Sequence, residues 1–247
     1  MIVLEGKGLE KRYHSHDSAI EALKGVDFHL DDGEILGIAG ESGSGKSTLL
    51  KLIAGLEPPT AGTLALHGQP LRFRRTKGEY RTMQMIFQNA AASFNPRRTI
   101  LDSITQAVRS LRGSGEKVDA EALSAMVNLS PEFMHRYPRQ LSGGQCQRFA
   151  IARAMAVQPE ILLCDEITSA LDVSSQAQIL RLLLDICRER HTSAIFVSHD
   201  LAVISCLCDR VMVMRGGSVV EQGNIGEVIR APKEEYTRRL VESVMKI

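Results

Sequence analysis

The segment that most limits how this chain can fold is a glycine-rich loop, GESGSGKS at residues 40–47. It has the spacing G-x-x-x-x-G-K-[ST], with Gly40, Gly45, Lys46 and Ser47 at the fixed positions. ILGIAG at 35–40 predicts a buried strand before the loop, and STLLKLIAGL at 47–56 predicts a helix after it that ends at Gly55. Glycines in such a loop let successive backbone N–H groups turn toward one anion. The loop therefore predicts that Lys46 binds the β- and γ-phosphates of a nucleotide and that Ser47 binds Mg²⁺.

A second chemical element lies at residues 161–166, where ILLCDE predicts a buried strand that ends in two carboxylates. We expect Asp165 to hold the Mg²⁺ shell and Glu166 to orient and deprotonate an attacking water. Two adjacent acids could also simply mark the point where a strand meets solvent, but a phosphate loop in the same chain favours the catalytic interpretation. Small kinases and GTPases carry both elements as well, so these two alone predict nucleotide chemistry without a cellular role.

The rest of the pattern predicts an α/β fold of the RecA-like P-loop NTPase kind. Further strands are predicted at 82–89 and 193–199, a helix at 174–190, and a hairpin that turns at Gly216-Gly217. Continuous apolar strands alternating with helices indicate a parallel sheet covered on both faces. We expect an N-terminal antiparallel β subdomain, a nucleotide-binding core at 1–89 and 156–230, an inserted helical subdomain at 90–155, and a helical tail at 231–247.

Composition excludes several function classes. The net charge of +1 over 247 residues gives no electrostatic case for nucleic acid or for anionic lipid. The five cysteines are odd in number, none is spaced as CxxC, and the N-terminus lacks a signal-peptide pattern, which favours a reducing cytoplasm. We expect Cys146, Cys164, Cys206 and Cys208 to be small buried apolar groups. His14 and His16 are the local candidates for metal binding, but a solvated loop is the expected environment.

Residues 141–148, LSGGQCQR, precede an Ala-rich helical pattern. They predict a helix N-terminus with unsatisfied amides, which is a second anion site. The loop at 40–47 already wraps one triphosphate, and this tract lies in the predicted insert, away from the core sheet. We therefore expect Ser142, Gly143 and Gly144 to cap a nucleotide bound by another subunit, so that two subunits placed head to tail enclose two ATP molecules.

With this tract in place, the chain resembles the ATP-binding subunits of ABC transporters over nearly all of its length, and LSGGQ matches the signature of that family. The resemblance implies that Tyr13 stacks on adenine, that Gln88 touches Mg²⁺ and relays to a membrane subunit, and that His199 contacts the γ-phosphate. It also implies that the loop from Ser169 to Asp172 reaches the partner ATPase. Ile167 stands where the family usually has proline, which removes a backbone constraint but leaves the chemistry.

The full expected site can be stated by role. The catalytic residues are Glu166, His199, Gln88 and Lys46, and the Mg²⁺ ligands are Ser47, Gln88 and Asp165. The ATP contacts are Tyr13, Gly40, Glu41, Ser42, Gly43, Ser44, Gly45, Lys46, Ser47, Thr48, Gln88 and Asp165. The contacts to the partner's ATP are Ser142, Gly143, Gly144, Gln145 and Asp172.

The segment FQNAAASFNPRRTI at 87–100 and the tail YTRRLVESV resemble the peptide/nickel importer branch, and the end at Ile247 resembles its short nickel or metal–opine importing members. The implied function is an ATPase, with ATP and Mg²⁺ as cofactors, that energises an importer of nickel, metal chelates or peptides. The implied partners are a second ATPase, with a heterodimer expected and a homodimer as the alternative, two permease subunits, and indirectly a solute-binding protein. The implied location is peripheral, at the cytoplasmic face of the membrane.

Two other functions compete with transport. The ATPase-like subunit of the carbon–phosphorus lyase machinery shares the loop and the tail pattern. ATPases of translation or DNA repair carry two phosphate loops or long coiled-coil inserts, whereas this chain has one loop and a short insert. The sequence therefore favours a transporter subunit.

Overall fold

The computed structural model describes residues 1–15, 18–169 and 171–245. By the density of its contacts the chain divides into two compact units, residues 1–75 with 193–247 and residues 76–192. The second unit contains more than the predicted helical insert at 90–155, because a parallel strand pair and a long helix group with it. The predicted subdomain limits remain a prediction.

The described residues form ten β-strands, nine α-helices and three short 3₁₀ turns. The strands are β1 (Ile2–Ser15), β2 (Ser18–Asp31), β3 (Ile35–Ala39), β4 (Ala61–Leu66), β5 (Gln69–Pro70), β6 (Met83–Ile86), β7 (Ile161–Asp165), β8 (Ser193–Ser198), β9 (Arg210–Arg215) and β10 (Ser218–Asn224). The α-helices are α1 (Lys46–Ala54), α2 (Lys77–Thr82), α3 (Ile100–Leu111), α4 (Ala120–Met126), α5 (Gly143–Ala156), α6 (Val173–Arg190), α7 (Leu201–Leu207), α8 (Ile225–Arg230) and α9 (Glu235–Met245). Short 3₁₀ turns lie at Ala91–Ser93, Pro131–His135 and Pro138–Gln140.

The first unit contains an antiparallel sheet with the strand order β2-β1-β4-β5. Its inner face is apolar, with Leu4 opposite Leu30 on β2 and Leu66 on β4. Leu4 and Leu30 are completely buried, as the half-buried alternation of an antiparallel sheet requires. The predicted N-terminal antiparallel subdomain is confirmed, while β4 and β5 are strands that the sequence analysis did not predict.

The first unit also contains the nucleotide-binding sheet segment, in which β8, β3 and β9 are parallel and β10 pairs antiparallel with β9. All five residues of β3 and all six of β8 are buried. Strands buried along their whole length in this way are typical of a parallel sheet that is covered on both faces. The predicted hairpin is confirmed, since Gly216 and Gly217 link β9 to β10 with positive φ angles of 54° and 88°.

The second unit is built around α5, whose apolar face is buried over most of its length. Phe149 is completely buried on this helix, and β6 and β7 form a parallel pair in the same unit, with Met83 opposite Ile161. Arg153 of α5 is half-buried and donates two hydrogen bonds to Ser93, to its carbonyl at 2.6 Å and its hydroxyl at 3.0 Å. Its guanidinium also lies 4.5 Å from the ring centre of Phe94. The helix that follows the signature is therefore fixed to the segment that follows Gln88.

The cysteine and histidine expectations are partly wrong. Cys146, Cys164 and Cys208 are buried as expected, but Cys206 is exposed because it lies on the outer side of the short helix α7. His14 belongs to strand β1, opposite Ala19, rather than to a loop, and His16 lies outside the described residues. Among the described residues there is no group of three or more His, Cys, Asp or Glu side chains suited to a metal ion.

No helix within residues 1–15, 18–169 or 171–245 combines the length and the apolar character needed to cross a bilayer.

Close packing at Gly37 gives a test of the fold. A Cβ atom at this position of β3 would lie 2.5 Å from Cγ2 of Ile204 and 2.9 Å from Sγ of Cys208. Gly37→Ala should therefore lower the free energy of unfolding by about 1–3 kcal/mol through overpacking. The matched control is Gly115→Ala, where no atom lies within 4 Å of the added Cβ. Urea unfolding of both variants checks the prediction, and equal stability of the two would contradict it.

Candidate active site

The backbone of the phosphate loop packs closely against backbone carbonyl groups of β2 and β9 in the first unit. Gly40 has a φ of 150°, and a Cβ there would lie 2.3 Å from the carbonyl oxygen of Met214. Gly45 has a φ of 105°, and a Cβ there would lie 2.6 Å from the carbonyl oxygen of Ala22. Both glycines are thus required by positive φ and by close approach of backbone. The amide of Gly217 also donates to the carbonyl of Ser44 at 3.0 Å, which joins the loop to the β9–β10 turn.

The inner side of the loop fits a nucleotide phosphate. Helix α1 begins at Lys46, and its N-cap residue Gly45 provides no side-chain cap for the first turn. Gly43 has a φ of 81°, and no atom lies within 4 Å of a Cβ built there. Backbone amides around an open glycine bend form the cradle that an anion occupies at a helix N-terminus.

Lys46 is held at this cradle by its own loop. Its side chain is buried, and Nζ donates to the carbonyl oxygens of Gly40 at 2.7 Å and Glu41 at 2.8 Å. These two bonds orient the ammonium group within the loop rather than toward solvent. A phosphate oxygen in the cradle can accept a hydrogen bond from the same ammonium group, as predicted from the sequence.

Tyr13 belongs to a cluster of polar groups at the far end of α1. Its hydroxyl donates to the Glu57 carboxylate at 2.6 Å, and Lys11 and Lys51 lie 3.4 and 3.7 Å from that carboxylate. Burial and the bond to Glu57 raise the pKa of Tyr13, while a side-chain hydrogen bond with Thr48 acts in the opposite direction. The bond from Tyr13 is the main cause of the lowered pKa of Glu57. Tyr13 and Thr48, two expected ATP contacts, are therefore linked.

His199 follows β8 directly and is exposed. The next residue, Asp200, caps α7 by accepting the amide of Ala202 at 2.8 Å. The strand end and the cap fix the backbone on both sides of His199. Its imidazole is thus presented at the carboxyl end of a parallel strand in the same unit as the phosphate loop, the usual position of functional side chains in such sheets.

In the second unit, β7 ends at Asp165, and Glu166 follows with a φ of 45°. A positive φ is unusual for a residue other than glycine and marks a backbone that its surroundings hold in place. Ile167 is 1% exposed. Its burial anchors the segment at the position where the family usually has proline. Side-chain packing thus restricts this segment in place of the backbone constraint that proline would impose.

Gln88 is tied to this segment through Ser169. The Gln88 side-chain amide donates to the Ser169 hydroxyl at 3.0 Å, and that hydroxyl donates to the Glu166 carbonyl at 3.1 Å. Ser169 was predicted only as part of a partner-facing loop, and this internal role could not be predicted, since nothing in the local pattern links positions 81 residues apart. With its nitrogen engaged, Gln88 keeps its carbonyl oxygen for a cation.

The signature tract forms a helix N-terminus, as predicted, but not a bare one. Ser142 caps α5, its hydroxyl accepting the Gln145 amide at 3.2 Å, while the Gln145 side chain accepts the Ser142 amide at 2.9 Å. The expectation of an uncapped end is therefore wrong, because this reciprocal capping box uses two of the donors. Gly143 and Gly144 remain between them, and no atom lies within 4 Å of a Cβ built at Gly144.

Asp172 also caps a helix. It is the N-cap residue of α6. Its carboxylate accepts hydrogen bonds from the amide of Ser175 at 3.0 Å and from the hydroxyl of Ser174 at 2.6 Å. These bonds hold the pKa of Asp172 far below its usual value. A Cβ at Gly143 would lie 3.5 Å from Cδ2 of Leu171, so the signature and the segment before α6 are neighbours within the second unit.

The expected residues fall into two groups, each within one unit. The first unit brings together the loop at 40–47, Thr48 and Tyr13 and also carries His199, while the second carries Gln88, Asp165, Glu166, the signature and Asp172. The expected Mg²⁺ ligands are a hydroxyl, an amide carbonyl and a carboxylate. These are hard oxygen donors, and Mg²⁺ binds few protein carboxylates besides substrate phosphates, so the donor set fits the ion.

Comparison with known proteins decides the family. Residues 23–169 match the protein-family profile described as ABC transporter. The chain belongs to the ABC transporter family. This ABC ATPase is 43% identical to the oligopeptide transport ATP-binding protein OppF of Salmonella typhimurium, over 91% of the chain and 70% of OppF. It is 42% identical to the probable D,D-dipeptide transport ATP-binding protein DdpF of Escherichia coli, over 92% of the chain and 72% of DdpF.

Solved structures confirm the fold class. The ABC ATPase superposes with a TM-score of 0.79 on the ATP-binding cassette MJ0796 bound to ADP and Pi, described as a dimeric post-hydrolysis state, at 30% identity over 90% of this chain and 98% of that one. It superposes with a TM-score of 0.78 on cbiO1 from Clostridium perfringens, at 25% identity over 100% of this chain and 99% of that one. The predictions of an ATP-hydrolysing ABC subunit, and of ATP and Mg²⁺ as its cofactors, are confirmed.

The pH dependence of the Tyr13–Glu57 bond gives a second prediction. The folded-state pKa of Glu57 is lowered from 4.5, so its ionised form stabilises the fold above that value and the effect is lost as the pH falls through the lowered pKa. Glu57→Gln should cost about 1 kcal/mol at pH 7 and progressively less below about pH 4.5. Urea unfolding from pH 7 to pH 3 measures the difference.

A double-mutant cycle provides the control for this prediction. In a Tyr13→Phe background the Glu57→Gln effect should shrink, because the main donor to the carboxylate is gone. A stability difference between wild type and Glu57→Gln that grows on acidification would contradict the assignment.

Proposed function

We propose that this ABC ATPase energises the import of di- or oligopeptides, by closing on ATP together with a second ATPase. The observation that carries the proposal is the presence of two phosphate-binding features in one chain, the cradle at 40–47 and the open glycines of the signature. The peptide class is supported by the names of OppF and DdpF and by the di/tripeptide transport protein DppF of Pseudomonas aeruginosa, which is 40% identical over 92% of the chain.

Other substrates have less support. The nickel and metal–opine expectation rests on the resemblance of the chain's end alone, and the relatives named here carry peptide-transport names. The carbon–phosphorus lyase alternative has no support among them either. We therefore propose peptides as the imported substrate.

The proposed chemistry divides the catalytic work among the chain's own residues. Lys46 binds the β- and γ-phosphates while the Gly40 and Glu41 carbonyls continue to orient its ammonium group, and Tyr13 stacks on the adenine. Glu166 orients and deprotonates the attacking water, while His199 contacts the γ-phosphate. Ser47, Gln88 and Asp165 would hold Mg²⁺, and the ion would supply charge neutralisation for the phosphates.

The signature is proposed to act on the partner's nucleotide. In the second unit, Ser142 and Gln145 cap each other, so the amides of Gly143 and Gly144 are what the helix presents to an anion. A helix N-terminus that faces an anion in a partly buried site contributes up to ~2 kcal/mol. Two symmetric contacts give ~4 kcal/mol, which corresponds to roughly millimolar affinity.

Such weak pairing makes tethering necessary. Two ATPases attached to one membrane complex have an effective concentration high enough to close the dimer. Hydrolysis then divides one bridging triphosphate into two anions, the contact between subunits is lost, and the dimer opens. We propose a second, different ATPase, two permease subunits and a solute-binding protein as the assembly, with this chain at the cytoplasmic face of the membrane.

Reconstitution tests the substrate class. The complete complex, with its permeases and its solute-binding protein, is reconstituted in vesicles. It should hydrolyse ATP faster when a di- or oligopeptide mixture is added on the side of the membrane that carries the solute-binding protein. Stimulation by a nickel chelate but not by peptides would reject the peptide assignment and leave the ATPase assignment intact.

The role of Glu166 yields the third prediction. Glu166→Gln should retain ATP binding, lower hydrolysis by about 100-fold or more through loss of the general base, and accumulate ATP-bound dimers. In the assembled complex, phosphate release measures hydrolysis, a fluorescent ATP analogue measures nucleotide binding, and ATP-dependent crosslinking between the two ATPases measures dimer closure. The matched control is Glu189→Gln, an exposed glutamate on α6, which should hydrolyse ATP at the wild-type rate. Rapid hydrolysis by Glu166→Gln would reject the assignment.

A further inference from the structure

A direct contact joins the C-terminal helix to the phosphate loop. Tyr236, in the first turn of α9, is 8% exposed, and its hydroxyl accepts the backbone N–H of Glu41 at 3.0 Å. The two residues are 195 positions apart in the sequence and lie within the same unit. No role assigned so far to the loop or to the tail uses this bond.

The bond bears on Lys46 because of peptide geometry. The N–H of Glu41 and the C=O of Gly40 belong to one planar peptide group and point in opposite directions. At one edge of the peptide group the N–H of Glu41 donates to Tyr236. At the opposite edge the Gly40 oxygen accepts a hydrogen bond from Lys46 Nζ at 2.7 Å. A single rigid plane therefore lies between the phenol and the ammonium group, so fixing one end of it fixes the other.

Tyr236 is itself held firmly. Glu221 of β10 accepts the amides of Lys233 at 2.9 Å and Glu234 at 3.1 Å, immediately before α9 begins. The guanidinium of Arg215, at the end of β9, lies 5.0 Å from the centre of the Tyr236 ring. The phenol thus has its backbone and its ring fixed by the β9–β10 hairpin, which also contacts the loop through Gly217.

We propose that Tyr236 is a positioning residue for ATP: from the C-terminal helix it fixes the Gly40–Glu41 peptide plane and thereby the ammonium group of Lys46. The inference rests on the proposed role of Lys46 in binding the phosphates. Without the hydroxyl, the Glu41 amide loses its acceptor and the plane can rotate. The Gly40 carbonyl then no longer aims Lys46 at the cradle, and the ammonium group must be reordered each time a nucleotide binds.

Tyr236→Phe tests the proposal, because it removes the hydroxyl and keeps the ring beneath Arg215. The dissociation constant for Mg·ATP, measured by calorimetry on the full chain, should rise about 3- to 10-fold, the usual effect of one lost neutral hydrogen bond. In the assembled complex, the KM for ATP should rise by a similar factor while kcat changes less than about 2-fold, since saturating ATP restores the arrangement.

The matched control is Thr237→Val, which removes the hydroxyl of the adjacent residue on the same helix. Thr237 is completely buried. Both variants should be less stable than wild type without nucleotide, but only Tyr236→Phe should show a smaller rise in Tm on addition of ATP. A purely structural role would lower the nucleotide-free Tm and leave that rise unchanged.

Three results would overturn the inference. They are ATP binding by Tyr236→Phe within 2-fold of wild type, equal weakening by Thr237→Val, and an unchanged rise in Tm for Tyr236→Phe. Lys46→Ala separates this failure from failure of the proposed function. If Lys46→Ala loses ATP binding and Tyr236→Phe does not, the inference alone fails; if Lys46→Ala binds ATP like wild type, the proposed role of the loop fails with it.

Discussion

The backbone of the phosphate loop, and what holds it in place, is the constraint on which the rest of the chemistry depends. Gly40 and Gly45 each face a carbonyl oxygen of another element at a distance that excludes a side chain. The loop therefore has its shape before any nucleotide arrives, and its amides need not be ordered at a cost in binding free energy. The ammonium group of Lys46 is likewise held by two carbonyls of the loop itself. Preorganisation of this kind is what allows a short stretch of backbone to serve as a charge-binding site.

The chain uses the same physical device, a helix N-terminus, in two different ways. At α1 the N-cap residue is a glycine with no side chain to cap the end, which suits this end to the phosphates of a nucleotide. At α5 the reciprocal bonds of Ser142 and Gln145 fix the first turn. Two backbone amides of this end are therefore used within the chain. The first turn is held more rigidly, and it contains Gly143 and Gly144. A reversible contact between subunits requires two kinds of anion site. One binds the subunit's own nucleotide strongly, and the other is rigid and binds the partner's nucleotide more weakly.

Local pattern was sufficient to predict the elements that carry the chemistry. The strand and helix on either side of the loop, the strand that ends in Asp165, and the hairpin at Gly216 follow from apolar runs and from glycine positions. The contacts that tune the site could not be predicted, because they join side chains that are far apart in sequence. Ser169 linking Gln88 to the backbone of Glu166 is one such contact. The exposure of Cys206 was missed for a related reason, since the face of a seven-residue helix depends on what packs beside it.

Charged and polar groups near the nucleotide-binding elements are held by partners rather than left to solvent. Tyr13 is bound to Glu57, and two lysines surround that carboxylate, so the expected adenine contact has one fixed rotamer instead of several. The loss of side-chain entropy has then already occurred in the folded chain and does not oppose nucleotide binding. The hydrogen bond from Glu41 to Tyr236 extends the same logic to the backbone, and it makes the C-terminal helix part of the nucleotide site. Sequence changes in that helix can therefore alter ATP affinity without touching a phosphate.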